Sequence, residues 1–287
     1  VSSSELPFVT AASSAAAEWG LPAPTLLRLG MNGIFAAGDE VVLRVGRADG
    51  SAEGSIRLAG ELLAAGIRVP APRCSLPFRA GGLEVVAVER IHPTSPVDWV
   101  AVGDMVGRVH RLDPARLGAL PWCGDFPWWQ FDALLAEMEP DIDAAAFDGL
   151  RAAVANHLPL LTTARSGQRV VCHGDVHPGN VIQSAGGPVL LDWDLLCLGP
   201  PAWDHAPLMT WSERWGGEPG LYEAFARGIG GSLRGDPLAE AIALLRLVAA
   251  TALRVRAGRD DPAAAVEAGH RLRWWRGEPD APAWRAM

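Results

Sequence analysis

Three oxygen-bearing side chains are spaced for chemistry: Asp175, Asn180 five residues later, and Asp192 twelve residues beyond that. They lie in His173-Gly174-Asp175-Val176-His177-Pro178-Gly179-Asn180 and in Asp192-Trp193-Asp194. Moving a phosphoryl group off a nucleotide needs one carboxylate to orient the attacking hydroxyl and take its proton, and oxygen ligands that hold Mg²⁺ on the phosphates. Asp175 suits the first task. Asn180 and Asp192 suit the second, because hard Mg²⁺ prefers oxygen donors and uses only one or two carboxylates beside phosphate and water.

The intervening segment has to bring those ligands together. Residues 181–183 and 189–191 are apolar enough for two short strands, and Ser184-Ala185-Gly186-Gly187-Pro188 between them is turn-forming. Such a hairpin returns the chain to its starting point and places Asn180 and Asp192 at one end.

His-Gly-Asp-x-His-x-x-Asn followed by Asp-Trp-Asp resembles the aminoglycoside phosphotransferase family, relatives of the protein kinases, whose own loop also has Asn five residues after its Asp. The resemblance continues at Gly199-Pro200-Pro201-Ala202-Trp203-Asp204, similar to the family's Gly-Asp-Pro-x-x-Asp with Pro200 in place of Asp, and takes in most of residues 26 to 215. It implies an α+β, protein-kinase-like two-lobed fold: a small β-rich nucleotide-binding lobe over residues 1–91, and a mainly helical catalytic and substrate-binding lobe over 92–287. The implied activity is Mg²⁺-dependent transfer of the γ-phosphoryl group of ATP or GTP to a hydroxyl of a small molecule. His173, His110 and Asp204 read as structural groups around the loop.

Upstream, residues 26–29, 34–37 and 41–45 alternate as three antiparallel strands. The first turn, Gly30-Met31-Asn32-Gly33, is a candidate phosphate-covering loop, in which Gly30 and Gly33 let the backbone approach and Asn32 adds polar groups. Kinases carry a phosphate-binding lysine on the third strand, yet all 25 basic residues here are arginine. Arg44 occupies that place, and guanidinium also binds phosphate oxygens, with a different reach and geometry. A helix over residues 53–65 offers Glu53 or Glu61 to hold the cation, register favouring Glu53. A strand over 83–88 then leads to the hinge that the resemblance implies, where backbone groups of Glu89 and Ile91 meet adenine. Helical patterns follow at 97–112, 131–138, 144–158, 221–228, 238–256 and 262–275; residues 277–287 read as a loosely held tail.

For the acceptor, the signal is two tryptophan clusters, Trp122 with Trp128 and Trp129, and Trp203 with Trp211 and Trp215, set among the acids Asp125, Glu137, Glu139, Asp141, Asp143, Glu213 and Glu218. Indoles beside carboxylates suit a hydroxylated amine such as an aminoglycoside or amino sugar, with His177, Glu213, Trp211 and Trp215 as contacts. A macrolide, amino-alcohol or metabolite kinase is the alternative. The missing lysine leaves open a nucleotide-binding pseudokinase without turnover. A rival of another class gathers His173, Asp175, His177, Asp192, Asp194 and His205 into a zinc or dinuclear hydrolase site, but it leaves Asn180 and the upstream strands without a task.

Bulk properties agree with a globular enzyme. Hydrophobic content of 49% excludes disorder, and a net charge of −8 disfavours nucleic acid as a partner. Cys74, Cys123, Cys172 and Cys197 lack Cys-x-x-Cys spacing and read as reduced thiols of a cytoplasmic protein. No segment has the length or pattern of an export signal or a membrane span. Oligomeric state leaves no mark in the sequence.

Overall fold

Alanine opens the structure. In this computed structural model, which describes residues 6–285 apart from Met31 and Ser95, helix α1 (Leu6–Glu18) buries Ala11, Ala12, Ala15 and Ala16 as one stripe. Side chains this small let the helix lie close on a sheet. Behind it are β1 (Thr25–Leu29), β2 (Gly33–Ala37) and β3 (Val41–Arg47), then α2 (Ser51–Ala64), β4 (Phe78–Ala80) and β5 (Leu83–Glu89). The five strands form an antiparallel sheet in the order β1-β2-β3-β5-β4. Phe35, Leu43, Val45, Val85 and Ala87 turn to the α1 face and make a dry core with its alanines. Period-two alternation therefore sends Val42, Arg44 and Gly46 to the opposite face.

The rest of the chain is mainly helical: α3 (Trp99–Val109), α4 (Phe131–Met138), α5 (Ala144–Ala164), β6 (Val170–Cys172), β7 (Val181–Ser184), β8 (Gly187–Leu190), β9 (Cys197–Gly199), α6 (Ala202–Met209), α7 (Trp211–Arg214), α8 (Leu221–Ile229), α9 (Pro237–Ala257) and α10 (Pro262–Trp275). Aspartates start four of these helices. Asp98, Asp143, Asp236 and Asp261 each accept a backbone N–H of the first turn, a cap worth about 1 kcal/mol. Helix α5 continues past the expected end at 158 and through Pro159; Thr162 and Thr163 donate to the carbonyls of Leu158 and Pro159 in its last turns.

Two compact units result. The first takes residues up to Val97 together with Val181–Leu191, the second Asp98–Asn180 and Asp192 onwards. The β7–β8 hairpin thus groups with the N-terminal sheet, which the expected boundary at residue 91 does not convey. Hydrogen bonds explain it: Leu190 N–H to Arg68 O (2.9 Å), Thr94 N–H to Gln183 O (3.0 Å) and Arg68 Nη1 to Gly187 O (3.1 Å).

The C-terminal segment is held, not loose, as far as Arg285; residues 286 and 287 lie outside the described residues. Trp284 is 1% exposed, its backbone N–H donates to Arg214 O at 2.5 Å, and its ring meets Trp215 and Trp274 edge-on. Arg285 N–H reaches Glu267 Oε1 at 2.8 Å, and Arg271 Nη2 reaches Arg285 O at 3.0 Å. Its irregular, proline-rich sequence concealed one large anchor. Cys123, Cys172 and Cys197 are buried free thiols and Cys74 is half-buried; burial pushes the Cys172 and Cys123 thiols up. Among the described residues no helix is long and apolar enough to cross a membrane.

Candidate active site

The loop after β6 is shaped by three buried groups. Asp204, fully buried in the first turn of α6, accepts the N–H groups of His173 (3.0 Å) and Gly174 (2.8 Å) and receives His110 Nε2 at 3.0 Å. Burial alone would raise its pKa; the His110 hydrogen bond and charge, the His173 charge and the backbone donor outweigh that and lower it. Gly174 has φ +95° and packs where any Cβ would strike Leu195 O, so only glycine suits the turn that aims Asp175. His173 Nδ1 accepts the Asp175 N–H at 3.2 Å, and its ring lies 4.5 Å from Trp193. Asp204→Ala leaves two buried N–H groups without an acceptor, so stability is expected to fall by roughly 3 kcal/mol. Urea denaturation checks this, and a loss under about 1 kcal/mol would show that water replaces the carboxylate.

Asp175 is held on both carboxylate oxygens. Oδ1 receives Arg246 Nη2 at 2.5 Å, while Oδ2 lies 3.4 Å from His177 Nε2 and 3.4 Å from Asn180 Nδ2. The Gly179 N–H donates to His177 Nδ1 at 3.0 Å, which assigns the proton of a neutral ring to Nε2, facing Asp175. Burial pushes the Asp175 carboxyl up, but the His177 hydrogen bond and the Arg246 charge hold it down at about 2.

Asn180 and Asp192 flank the hairpin that the turn residues led one to expect. Register pairs Val181 with Leu190, so Asn180 and Asp192 leave the same end of the hairpin. Asn180 is 8% exposed and spends its Nδ2 on Asp175 O at 3.0 Å, which leaves its Oδ1 as the atom that could meet a metal. Asp192 has φ 59°, the one non-glycine positive φ among the described residues. That conformation costs of order 1–3 kcal/mol and persists only where the surrounding structure over-determines it. An exposed carboxylate and an amide oxygen are a fitting donor set for Mg²⁺.

The first unit holds the expected nucleotide groups. Gly30 N–H donates to Asn32 O at 3.1 Å, and Gly33 pairs with Leu29 and Val45. Met31 lies outside the described residues. Asn32 Oδ1 rests against Gly46, where a Cβ would come within 2.6 Å, so Asn32 covers the same sheet face as half-buried Arg44. Glu53, in the first turn of α2, is bound by Arg79 Nη2 at 2.9 Å, and Arg79 also takes Glu84; of the two acids expected to serve Arg44, Glu53 and Glu61, the first is thus engaged by another cation. Glu89 ends β5 with its N–H on Ala71 O (2.8 Å), and Ile91 lies two residues further on, after Arg90.

Of the expected acceptor contacts, His177 stacks on Trp211 (5.4 Å, 14°) and Trp211 on Trp215 (5.7 Å, 18°). Trp215 also lies under the Arg271 guanidinium at 4.9 Å. Glu213 is 66% exposed and 3.9 Å from Arg234 Nη1. The hydrolase cluster is not assembled: among the described residues the one metal-capable grouping is His110, Cys172 and Asp204, whose carboxylate already has its donors. His205 stands apart, 3.2 Å from the Tyr222 hydroxyl, its pKa lowered to about 4 by burial. Arg246 is the functional-site residue that the sequence reading missed. Its signal was a single cation inside an apolar stretch of α9, flanked at helical spacing by buried Ile242, Leu245 and Ala249.

A phosphotransferase of protein-kinase-like α+β fold is the class that this site and fold define. The chain belongs to the phosphotransferase enzyme family, whose profile matches residues 34–239, and it is an enzyme with an alcohol group as acceptor. Solved structures agree on the fold. The GDP and kanamycin complex of APH(2")-IIia is similar at TM-score 0.72 and 14% identity over 96% of this chain and 99% of that one. Spectinomycin phosphotransferase APH(9)-Ia with ADP and spectinomycin gives 0.64 and 14% over 91% and 90%. Macrolide 2'-phosphotransferase MphH from Brachybacterium faecium gives 0.60 and 19% over 95% and 99%. No curated protein matches in sequence.

Proposed function

We propose that this enzyme moves the γ-phosphoryl group of a nucleoside triphosphate to a hydroxyl of a small, largely uncharged acceptor. The observation that carries the reaction is the grouping of an ionised Asp175 with Asn180, whose amide nitrogen is committed and whose oxygen is left for a metal, and with Asp192 in a left-handed conformation. Mg²⁺, held by Asn180 Oδ1 and Asp192, would neutralise phosphate charge when bound. Asp175 Oδ2 orients the acceptor hydroxyl and accepts its proton; with a carboxyl pKa near 2 it is a weak base, so orientation is the larger part of its work in a loose transition state. The Gly30, Asn32 and Gly33 turn and Arg44 take the phosphates, and the Glu89 and Ile91 backbone takes the base.

The relatives with solved structures include enzymes named for aminoglycosides and for a macrolide, and charge favours the second kind. Most acids that suggested a cationic acceptor are neutralised by arginine. Asp125 is bound bidentately by Arg165 (2.6 and 3.0 Å), Glu137 by Arg256 and Arg259, Asp141 by Arg259 (2.7 Å) and Asp143 by Arg276 (2.9 Å). A field so cancelled does little to gather a polycation.

The test is ADP release with kanamycin, spectinomycin, a macrolide and neutral glycosides as acceptors. A neutral acceptor should be turned over with kcat/KM changing less than about 2-fold between roughly 0.02 and 0.3 M salt. Turnover confined to polycations and falling steeply with salt and with Glu213→Gln would restore the amino-sugar reading. Release with none of them would favour a nucleotide-binding protein without turnover.

Arg44 gives a second expectation. Arg44→Ala should weaken nucleotide binding by about 1–3 kcal/mol, the scale of charge-assisted hydrogen bonds, and Arg44→Lys should recover part of it. Calorimetry with MgATP checks this; an unchanged Kd would assign Arg44 a purely structural role on β3.

A further inference from the structure

The loop holding Asp175 ends at Asn180, yet the strongest bond to its carboxylate comes from α9, more than sixty residues later in the chain. Arg246 makes a two-point attachment. Nη2 donates to Asp175 Oδ1 at 2.5 Å and Nη1 to Gly174 O at 3.0 Å, so the guanidinium plane fixes both the side chain and the backbone that carries it. The guanidinium is itself fixed. It lies over the Trp203 ring at 5.5 Å, and Trp203 is 1% exposed and packed 4.6 Å from Trp129. Its own side chain is 16% exposed against 30% for Asp175, so the pair is only partly open to solvent.

We infer that Arg246 is a positioning residue for phosphoryl transfer: it takes Oδ1 of Asp175 out of use, and Oδ2 becomes the oxygen that meets the acceptor. This rests on the proposed role of Asp175 and goes beyond it by assigning the two oxygens different work. In the step itself, the acceptor oxygen forms a bond to the γ-phosphorus as the bond from that phosphorus to the departing ADP oxygen breaks. The acceptor proton passes to Oδ2 and leaves later to solvent. Without Arg246 only the long 3.4 Å contacts of His177 and Asn180 restrain the carboxylate, which can then turn so that either oxygen, at varied angles, faces the hydroxyl. Errors of this size in placing a reacting group cost as much as 10²-fold in rate without touching substrate affinity. Lysine can reproduce the effect only in part, because an ammonium has no planar pair of donors to span Oδ1 and Gly174 O together.

The experiment compares Arg246→Lys, Arg246→Gln and Arg246→Ala with wild type and with Asp175→Asn. Initial rates of ADP release from MgATP are measured with water alone and with the best acceptor from the panel above. Expected are a kcat lowered by roughly 10- to 100-fold in the glutamine and alanine variants, a smaller loss in the lysine variant, and nucleotide KM within about 3-fold throughout. Added guanidinium ion at non-denaturing concentration should return at least part of the rate to Arg246→Ala and none to Asp175→Asn, a rescue that a merely structural role would not show. Urea midpoints identify any variant that fails to fold, in which case Arg246→Lys decides. If the Arg246 variants keep kcat within about 2-fold while Asp175→Asn loses it, or if guanidinium rescues nothing, the inference is overturned. If Asp175→Asn also keeps its rate, the role of Asp175 fails first, a separate result.

Discussion

Asp175→Asn is expected to lower kcat by roughly 10²-fold or more while leaving nucleotide affinity within a few-fold. Asparagine keeps the shape of the side chain and a carbonyl oxygen for Arg246, but it cannot take a proton and carries no charge to set against the arriving hydroxyl. The proposed metal ligands are untouched: Asn180 still donates to the carbonyl of residue 175 at 3.0 Å, and Asp192 belongs to a different turn. The loss should therefore fall on the transition state. Because burial is outweighed by the His177 hydrogen bond and the Arg246 charge, the carboxyl sits at about 2. The depressed value makes its contribution to stability fully present above the unfolded carboxyl pKa near 3.9, and lost as pH falls towards 2. Single-turnover rates with MgATP and a hydroxyl acceptor check the prediction; near-normal turnover would remove Asp175 from the mechanism.

The catalytic segment was legible in the sequence because its chemistry is local. Asp175 and Asn180 share one loop, and the 181–191 hairpin is written in its turn residues, so spacing alone brings Asp192 back. The long helices were legible through apolar periodicity, α10 over its observed span. Helix α1 was not, because Ala11, Ala12, Ala15 and Ala16 form a buried face that hydrophobic patterning undervalues. The same holds for contacts made across long stretches of chain. Nothing near Asp175 announces Arg246, and nothing in the last residues announces that Trp284 is packed among Trp215 and Trp274. Charge pairing was equally hidden: acids next to tryptophans suggested a cation site, and nothing near them announces that arginines distant in sequence, Arg256 and Arg259 above all, hold Glu137 and Asp141.

Asp192→Ala is expected to abolish Mg²⁺-dependent nucleotide binding. Asn180 offers a neutral oxygen, so Asp192 is the anionic member of the pair, and without it the phosphates of the nucleotide meet no metal charge that the protein holds in place. The backbone argues the same way. A left-handed φ of 59° at an aspartate is tolerated by Asn, Asp and Gly better than by Ala. If strain relief were the only consequence of substitution, Asp192→Gly would be stabilised and still bind MgATP. If the carboxylate is the ligand, Asp192→Gly and Asp192→Ala should lose the Mg²⁺-dependent component of binding alike, whatever their urea midpoints. Asp194→Ala should lose less, since a carboxylate two residues on acts at most by orienting its neighbours. Calorimetric titration of MgATP and of metal-free ATP into the three variants separates these cases, and equal MgATP binding by wild type and Asp192→Ala would refute the metal assignment.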